Sequence, residues 1–316
     1  MKDAQITQTP QKQKTGGLLG LIWKNRMIYT LFIPGFVWYI IFVYGPMGGL
    51  TLAFKNYRAS GGIWGSPWIG FQNFKYIFLD QAFIRSVFRT LQINLGRMIF
   101  QFPMGVVVAL LLNEVNFPKL KKVLQTILTF PHFLSWVVVS SVLITALAYD
   151  GFINNIFKAF GFQSFNFLGN EPVFIPLLYI TEIWKNSGWG AIIYLAAIAG
   201  IDAEQFEAAA VDGATRMQKI FRITLPSIMP TIVVMFILSM GNLMSTGFDQ
   251  IFNLSNEAVR DVAETLDMYI YRISFRSAPD FSFSTAVSFF RSVINMVFLL
   301  VADRGAKMLG SEGLMG

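Results

Sequence analysis

Six long apolar stretches, separated by shorter polar segments, dominate the pattern of this 316-residue chain. A helix that crosses a lipid bilayer needs about 20 mainly apolar residues, and each stretch reaches that length. The stretches cover roughly residues 28–52, 90–113, 124–148, 173–199, 227–247 and 282–302. The pattern predicts an all-α integral membrane protein with six transmembrane helices. It divides the chain into a polar tail over residues 1–26, a membrane domain over 27–303 and a second tail over 304–316.

Composition supports a membrane protein and argues against several kinds of chemistry. Hydrophobic residues make up 54% of the chain and charged residues only 14%, whereas soluble globular proteins carry about 25% charged residues. The chain has no cysteine and one histidine, so we expect no disulfide, no thiolate catalysis and no bound metal. No catalytic group of residues stands out, so we expect no enzyme activity and no catalytic residue. The net charge of +7 comes from basic residues scattered among apolar stretches, which argues against a nucleic-acid partner.

Lysine and arginine predict the orientation of the spans, because cytoplasmic loops carry more of them. With a cytoplasmic N-terminus, thirteen basic residues fall on the cytoplasmic side: Lys2, Lys12, Lys14, Lys24, Arg26, Lys119, Lys121, Lys122, Arg216, Lys219, Arg222, Arg304 and Lys307. Nine fall on the other side: Lys55, Arg58, Lys75, Arg85, Arg89, Lys158, Arg260, Arg272 and Arg276. The bias predicts that both termini are cytoplasmic. Aromatic residues between Trp64 and Phe78 favour a segment at the outer membrane interface over a contact with a binding partner.

The segment of residues 201–226, IDAEQFEAAAVDGATRMQKIFRITLP, has the strongest local signals in the chain. Asp202 followed by Gln205 predicts a capping-box start of a helix rich in alanine and glutamate. Gly213 suits the left-handed residue that ends such a helix. The first half of the segment therefore predicts a short helix that stops at a sharp glycine turn.

The second half of this segment predicts another helix that leads into the membrane. Thr215 with Gln218 forms the pattern of a second capping box. Pro226 suits the first turn of the fifth span, where its missing N–H leaves no hydrogen bond unmade.

The same segment resembles the EAA signature of binding-protein-dependent ABC importer permeases. The signature comprises Glu207-Ala208-Ala209, three residues, Gly213, nine residues, Ile223, one residue and Leu225-Pro226. Small side chains at Ala208 and Ala209 leave room for another protein surface, and the Glu207 carboxylate can fix the register. An ordinary helical hairpin is the alternative, but it does not explain the complete spacing.

The resemblance implies the type I ABC importer permease fold, in which residues 201–226 form a cytoplasmic loop, called the EAA loop below. In that family the first helix of the loop fits a groove on the ATPase subunit and transmits its closure to the membrane helices. The positions that the resemblance assigns to this coupling are Glu207, Ala208, Ala209, Asp212, Gly213, Leu225 and Pro226.

Three further segments resemble carbohydrate-uptake permeases, in particular those for oligosaccharides and polysaccharide fragments. They are FLSWVVVSSVLI in the third span, YLAAIAGID before the EAA loop and FDQIFNLSN after the fifth span. The resemblance therefore implies import of carbohydrate, with oligosaccharides as the expected cargo, across a prokaryotic plasma (inner) membrane.

The family also implies a set of partners. The chain contains no GxxxxGK[ST] phosphate-binding loop, so we expect ATP and Mg to bind a partner ATPase subunit and no cofactor to bind this chain. The implied assembly has a homologous second permease, two copies of a cytoplasmic ABC ATPase, an extracytoplasmic solute-binding protein and surrounding membrane lipid.

Polar residues within the spans are candidates for the substrate path, because such residues usually face the bundle interior or water. Asn94, Arg97 and Gln101 recur at i, i+3 and i+7 and so share one helical stripe. The other candidates are Gln92, Tyr179, Glu182, Trp184, Lys185, Asn186, Ser239, Asn242, Arg291 and Asn295. Hydrogen bonding between helices is the alternative for each, with a Glu182–Lys185 pair as the simplest case. His132 is expected to be a hydrogen-bonded packing residue rather than a gate.

Three alternative functions stay open at this point. The same importer role with a non-sugar solute would keep the EAA loop and change only the cargo. An ion-driven secondary transporter would lack the EAA loop and carry more carboxylates in mid-span than Glu182. A membrane-embedded enzyme would need catalytic groups that the sequence does not offer.

Overall fold

The computed structural model describes residues 18–245, 247–276, 279–308, 310, 313 and 314. The described residues are mainly helical, and their extended pairing is limited to one isolated bridge between Lys55 and Trp68. The chain divides into two compact units, residues 1–51 and 52–316. Most of the predicted N-terminal tail, residues 1–17, lies outside the described residues.

The first unit is a helical run over the first predicted span. Its helices are α1 (Leu18–Lys24), α2 (Arg26–Tyr39), a π-helical stretch (Ile40–Tyr44) and α3 (Gly45–Met47). A 3-10 helix, Gly48–Phe54, crosses the boundary between the units. The run Arg26–Phe54 has 29 residues and is long and apolar enough to cross a membrane.

The second unit begins with two short helices, α4 (Gly62–Gly65) and α5 (Gln72–Leu79). Lys55 holds this region together: its Nζ donates to the carbonyl oxygens of Ile63 at 2.9 Å and Trp64 at 3.1 Å. The same ammonium lies 4.9 Å from the centroid of the Trp68 ring. The first predicted outer loop is therefore an ordered segment.

The second predicted span is one helical run made of α6 (Gln81–Phe100) and α7 (Phe102–Asn113). The helix begins before the predicted apolar stretch at residue 90, because Arg85 and Arg89 make its first turns too polar for a hydropathy pattern. Asp80 starts the helix by accepting hydrogen bonds from the Ala82 and Phe83 amides at 2.7 and 3.3 Å. This N-cap supplies partners for amides that have none within the helix.

The third predicted span is broken, so the prediction of one helix over 124–148 was wrong. The structure has α8 (Pro118–Thr129), a 3-10 turn (Phe130–Phe133), α9 (Trp136–Leu147) and α10 (Phe152–Ala159). Pro131 lacks an N–H, and Ser135 caps a new helix by accepting from the Val138 amide at 3.3 Å. The membrane-crossing candidate is therefore Trp136–Ala159.

Helix α11 (Glu171–Ala199) follows and packs closely on α7 and α8. A Cβ at Gly188 would overlap the backbone carbonyl of Leu128, and Gly190 lies against Gly105. These glycines let the helix backbones approach closely. A buried apolar cluster fills the contact with α7 and includes Ala109, Ala191, Tyr194, Ile198 and Ile228.

The EAA loop folds into α12 (Ala203–Val211), α13 (Arg216–Lys219) and a π-helical turn (Ile220–Thr224). It leads directly into α14 (Leu225–Met240). The last part of the chain contains α15 (Phe248–Leu254), a 3-10 turn (Glu257–Val259), α16 (Arg260–Ala263), α17 (Leu266–Tyr271), a π-helical turn (Arg272–Arg276) and α18 (Phe281–Met308).

Within the described residues, five helical runs are long and apolar enough to cross a membrane: Arg26–Phe54, Gln81–Asn113, Trp136–Ala159, Arg216–Met240 and Phe281–Met308. The remaining predicted span, 173–199, is covered by α11. This helix has 29 residues, which is about 43 Å of helix and enough to cross the bilayer. The middle of the helix has a lower hydropathy because it contains Glu182, Lys185 and Asn186. These polar residues lie at or beside the site described next.

Candidate translocation site and EAA loop

A cavity of about 550 Å³ lies between α6, α11 and α14 in the second unit. Its wall combines amides, a guanidinium, a carboxylate and apolar side chains: Asn94, Arg97, Met98, Gln101, Phe102, Glu182, Met235, Leu238, Ser239, Asn242, Leu243, Ser245 and Gly247. Polar residues at this depth in a bundle usually face water or other polar groups. The cavity is therefore a polar space within the spans that line it.

Arg97 is buried in the cavity wall, and a second buried residue fixes its position. One Arg97 Nη donates to the Oε1 of Gln250 on α15. Gln250 is fully buried, and its Nε2 donates to the Leu178 carbonyl and to the Thr181 Oγ1, both at 2.8 Å. Gly247 has a left-handed backbone with φ +88°, and a Cβ there would overlap the guanidinium. The chain therefore holds the Arg97 charge at one place on the wall.

Glu182 lies on α11 across the cavity and belongs to a polar chain that reaches the break between α8 and α9. Its Oε1 accepts a hydrogen bond from Asn186 Nδ2 at 2.7 Å, and Asn186 Oδ1 lies 2.7 Å from His132 Nδ1. Because the Asn186 oxygen can only accept, His132 Nδ1 carries the proton. The His132 ring stacks on Trp189 at 4.5 Å. His132 is thus a hydrogen-bonded packing residue, and Glu182 Oε2 has no partner among the described residues.

Some of the predicted path residues line this cavity, and the others lie elsewhere. Asn94, Arg97 and Gln101 line one wall as their helical stripe predicts, and Ser239 and Asn242 lie opposite them. Asn94 also donates from Nδ2 to the Leu243 carbonyl at 2.6 Å, which ties α6 to the end of α14. Their contact with a solute stays a prediction.

The fourth-span candidates other than Glu182 lie outside the cavity lining. Tyr179 donates to the Gln92 carbonyl at 3.3 Å, and Trp184 is exposed. Lys185 Nζ donates to the His132 carbonyl at 2.8 Å and lies 5.6 Å from the centroid of the Trp136 ring. Within the described residues, the alternative of a Glu182–Lys185 ion pair does not form, since Lys185 donates to the third predicted span.

The two sixth-span candidates also contact other parts of the chain. Arg291 forms an ion pair with Asp267 on α17. Burial raises the pKa of the Asp267 carboxyl, and Arg291 opposes that effect. Asn295 accepts from the Met244 amide at 2.9 Å and donates to Ser245 Oγ at 2.6 Å. These residues connect α18 to the segments beside it and do not line the cavity.

The EAA loop has the local structure that its sequence predicts. Asp202 caps α12 by accepting from the Glu204 amide at 3.0 Å, although Gln205 does not complete a capping box there. Gly213 has φ +71°, and the amides of Gly213 and Ala214 donate to Ala210 and Ala209 at 3.1 and 2.9 Å. This pair of bonds is a Schellman motif.

The second half of the EAA loop also matches its prediction. Thr215 and Gln218 form a complete capping box, with distances of 2.7 and 3.3 Å. Leu225 and Pro226 open α14, with the proline in its first turn. The four expected features, helix, glycine turn, second helix and span entry, are all present.

One face of α12 contacts the bundle and the other is free of it. Phe206 lines a hollow of about 360 Å³ with residues from the ends of α7, α8 and α11, among them Asn113, Gln125 and Ile198. Glu207 and Ala208 are exposed, and Val211 is 89% exposed. The position of Phe206 beside the bundle was missed from the sequence, because a single aromatic residue among alanines has no periodic signal.

Comparison with known proteins identifies the family. Residues 101–310 match the family described as "Binding-protein-dependent transport system inner membrane component". The chain is 38% identical over 305 residues to the polygalacturonan/rhamnogalacturonan transport system permease protein YteP of Bacillus subtilis, covering 96% of this chain and 95% of the relative. It is also 38% identical over 301 residues to the protein LplB of the same organism, covering 93% of this chain and 94% of that relative.

Two crystal structures of a bacterial alginate ABC transporter contain a similar chain. The first, in complex with an alginate pentasaccharide-bound periplasmic protein, aligns with a TM-score of 0.85 and 35% identity over 94% of this chain and 99% of that chain. The second aligns with a TM-score of 0.84 and 36% identity over 92% and 98%. The fold, the family match and the EAA loop agree, so this chain belongs to the inner membrane components of binding-protein-dependent transport systems and is a permease subunit of an ABC importer.

Proposed function

We propose that this permease carries oligosaccharides through the membrane by alternating access, together with a second permease, two ATPase copies and a solute-binding protein. Both termini and the EAA loop face the cytoplasm in this proposal. The N-terminal ends of α6 and α18 then face the outside. ATP and Mg bind the ATPase subunits, and this chain supplies the path and the contact that couples it to them.

One observation carries the proposal: α11 and α14 line the polar cavity, and the EAA loop connects the same two helices in the sequence. Glu182 on α11 and Ser239 on α14 line the cavity. The loop that joins the two helices exposes Glu207 and Ala208, the positions of the EAA signature. A partner that moves α12 therefore moves two walls of the cavity through continuous helices. This connection is what alternating access requires.

The chemistry of the cavity favours a sugar cargo. Sugars offer many hydroxyl groups and apolar ring faces, and the lining offers amides at Asn94, Gln101 and Asn242 beside the ring of Phe102. The volume of about 550 Å³ lies within the range of about 300–1,000 Å³ typical of small-ligand sites. The names of the similar proteins refer to polygalacturonan, rhamnogalacturonan and alginate, which are all carbohydrate polymers.

Uptake by the reconstituted complex tests the proposal. The complete importer in proteoliposomes is expected to take up an oligosaccharide delivered by its binding protein and to hydrolyse ATP in proportion. Gln101→Leu or Asn242→Leu each removes a cavity amide, and we expect uptake to fall about fivefold, because one lost hydrogen bond to a sugar hydroxyl is worth about 1 kcal/mol.

Asn253→Leu is the matched control for Asn242→Leu. Both amides donate to the carbonyl four residues earlier, Asn253 to Asp249 at 2.7 Å and Asn242 to Leu238 at 3.3 Å, but Asn253 does not line the cavity. Equal uptake by both variants, or uptake of amino acids or peptides in place of oligosaccharides, would contradict the proposal.

A further inference from the structure

Two adjoining hollows of about 590 and 360 Å³ lie at the end of the bundle opposite the EAA loop. They share Arg260, Glu264 and Arg272, so they form one continuous concave surface. The first turns of α6 form one side, and the segment from α15 to the end of the π-helical turn at Arg276 forms the other. The central cavity does not include any of these residues.

Arginine dominates the charge of this surface. Five arginines line it: Arg85, Arg89, Arg260, Arg272 and Arg276. We call this surface the arginine groove. Three carboxylates, Glu257, Asp261 and Glu264, also line it. The groove therefore keeps an excess of two positive charges at neutral pH.

The carboxylates in the groove neutralise only part of the arginine charge. Arg272 Nε pairs with Glu264 Oε1 at 2.7 Å, and Arg260 pairs with Glu257 at 3.3 Å. Within the described residues, Arg85 and Arg89 form no ion pair, and Arg89 donates to the Gln92 amide oxygen at 2.9 Å. The two guanidinium groups on α6 are therefore available to an anionic ligand.

The groove lies beyond the lipid hydrocarbon on the proposed outer side. The run from Gln81 to Asn113 has 33 residues, which is about 50 Å of helix, whereas the hydrocarbon core is about 30 Å thick. The first turns, with Arg85 and Arg89, extend past the apolar part of the run. A solute that leaves a binding protein on this side meets the groove before the central cavity.

Aromatic rings lie among the arginines. Phe88, between the two α6 arginines, is 68% exposed, and Tyr271 lies beside Arg276, whose guanidinium carbon is 5.9 Å from the ring centroid. A planar guanidinium binds a carboxylate through two parallel hydrogen bonds, and an aromatic ring packs on the apolar face of a sugar. Both kinds of group together match a sugar that carries a carboxylate, as in a uronic acid.

We propose that the arginine groove is a binding subsite for the carboxylate groups of acidic oligosaccharides, which occupy it between the binding protein and the central cavity. The inference rests on the proposed function and narrows its cargo to uronate-containing chains. A similar chain belongs to a transporter "involved in the import of the acidic polysaccharide alginate", which agrees with this class of cargo.

The test compares a trisaccharide of galacturonate with its carboxyl-reduced, neutral counterpart. The complete complex in nanodiscs, without binding protein, is titrated with each sugar at low salt, and binding is followed by saturation-transfer NMR. We expect the acidic sugar to bind at least about tenfold more tightly, because charge-assisted hydrogen bonds are about twice as strong as neutral ones. The preference should shrink as salt rises, since exposed charges are screened.

The double variant Arg85→Gln, Arg89→Gln should remove most of the preference for the acidic sugar and leave neutral binding unchanged. Arg58→Gln is the control, because Arg58 is exposed on the same side but does not line the groove. Gln101→Leu in the central cavity should weaken the binding of both sugars equally. An unchanged preference in the double variant, or an equal affinity of the wild type for both sugars, would overturn the inference.

A protein contact is the competing explanation for the arginines. If the double variant weakened only the affinity for the sugar-free binding protein, the groove would be a docking surface and the inference would fail. Failure of the proposed function is a separate result: the wild-type importer would then take up no oligosaccharide at all, acidic or neutral. Import of neutral oligosaccharides without an acidic preference would leave the function intact and remove only the subsite.

Discussion

The EAA loop and the central cavity are stabilised by hydrogen bonds of very different sequence separation. In the loop, the capping and turn bonds join residues two to five positions apart, from Asp202–Glu204 to Ala209–Ala214. In the cavity wall, the bonds of Asn94 and Arg97 reach 149 and 153 positions along the chain. The loop is therefore specified by its own sequence, and the cavity exists only when the whole bundle has assembled.

This difference fits the role that we propose for each region. A loop that contacts another protein through an exposed face has little tertiary support on that face, so local caps and turns must keep it rigid. A cavity that opens to alternate sides must be able to come apart along the contacts between helices. Long-range side-chain bonds make those contacts specific without fixing the helices to each other along their full length.

The largest expected effect on stability and uptake comes from a change in the cavity wall. Gln250→Leu removes the acceptor for the buried Arg97 guanidinium and both donors to α11. A buried donor that loses its acceptor costs about 1–3 kcal/mol, and more when the donor is charged, so we expect the unfolding temperature of the purified protein to fall and uptake to be lost.

Asn253→Leu, three residues further along α15, is the control for this change, since the Asn253 amide donates only to Asp249 on its own helix. A Gln250→Leu protein as stable as the control would mean that Arg97 finds another partner, and the contrast between local and long-range stabilisation would not hold.

The same contrast explains what could be predicted from the sequence. The cap at Asp202, the turn at Gly213 and the capping box at Thr215 were all predicted, because each depends on neighbours within a few residues. The stripe of Asn94 and Arg97 was found by the same kind of local periodicity. The family resemblance added the fold as a whole, and its signature occupies a segment that is determined locally.

The features that were missed depend on distant neighbours. Gln250 lies within the FDQIFNLSN segment, but no local pattern shows its role, because its partners on α6 and α11 lie far away in the sequence. Arg291 and Asn295 share one face of α18, as their spacing predicts, but the spacing does not say that this face meets Asp267 and Met244. The apolar pattern of the third span does not show that Pro131 combines with the Ser135 cap to end one helix and start another.

A medium effect is expected at the glycine turn of the EAA loop. Gly213→Val places a β-branched residue at φ +71°, which costs about 1–2 kcal/mol or more for a non-glycine residue. A Cβ there meets no atom within 4 Å, so the cost falls on the turn alone. We expect an unchanged unfolding temperature and a several-fold drop in sugar moved per ATP hydrolysed.

Gly213→Asn is the matched variant, because asparagine tolerates the left-handed conformation better than other residues. It should keep most of the coupling. Equal losses in the valine and asparagine variants would show that the turn conformation is not what matters at this position.

The smallest expected effect is at the capping box of the second loop helix. Thr215→Ala removes the hydroxyl that accepts from the Gln218 amide and leaves the helix Arg216–Lys219 without its cap. Loss of an N-cap costs about 1 kcal/mol, which corresponds to roughly a fivefold change in a local opening equilibrium. Hydrogen exchange at the amides of Gln218 and Lys219, which donate to Thr215, should therefore quicken about fivefold, while Thr215→Ser, which keeps the hydroxyl, should leave it unchanged. Because all partners of this cap lie within the loop, exchange in α6 and α11 around the cavity should not change. Faster exchange at Arg97 or Thr181 in the alanine variant would mean that the loop and the cavity are not independently stabilised.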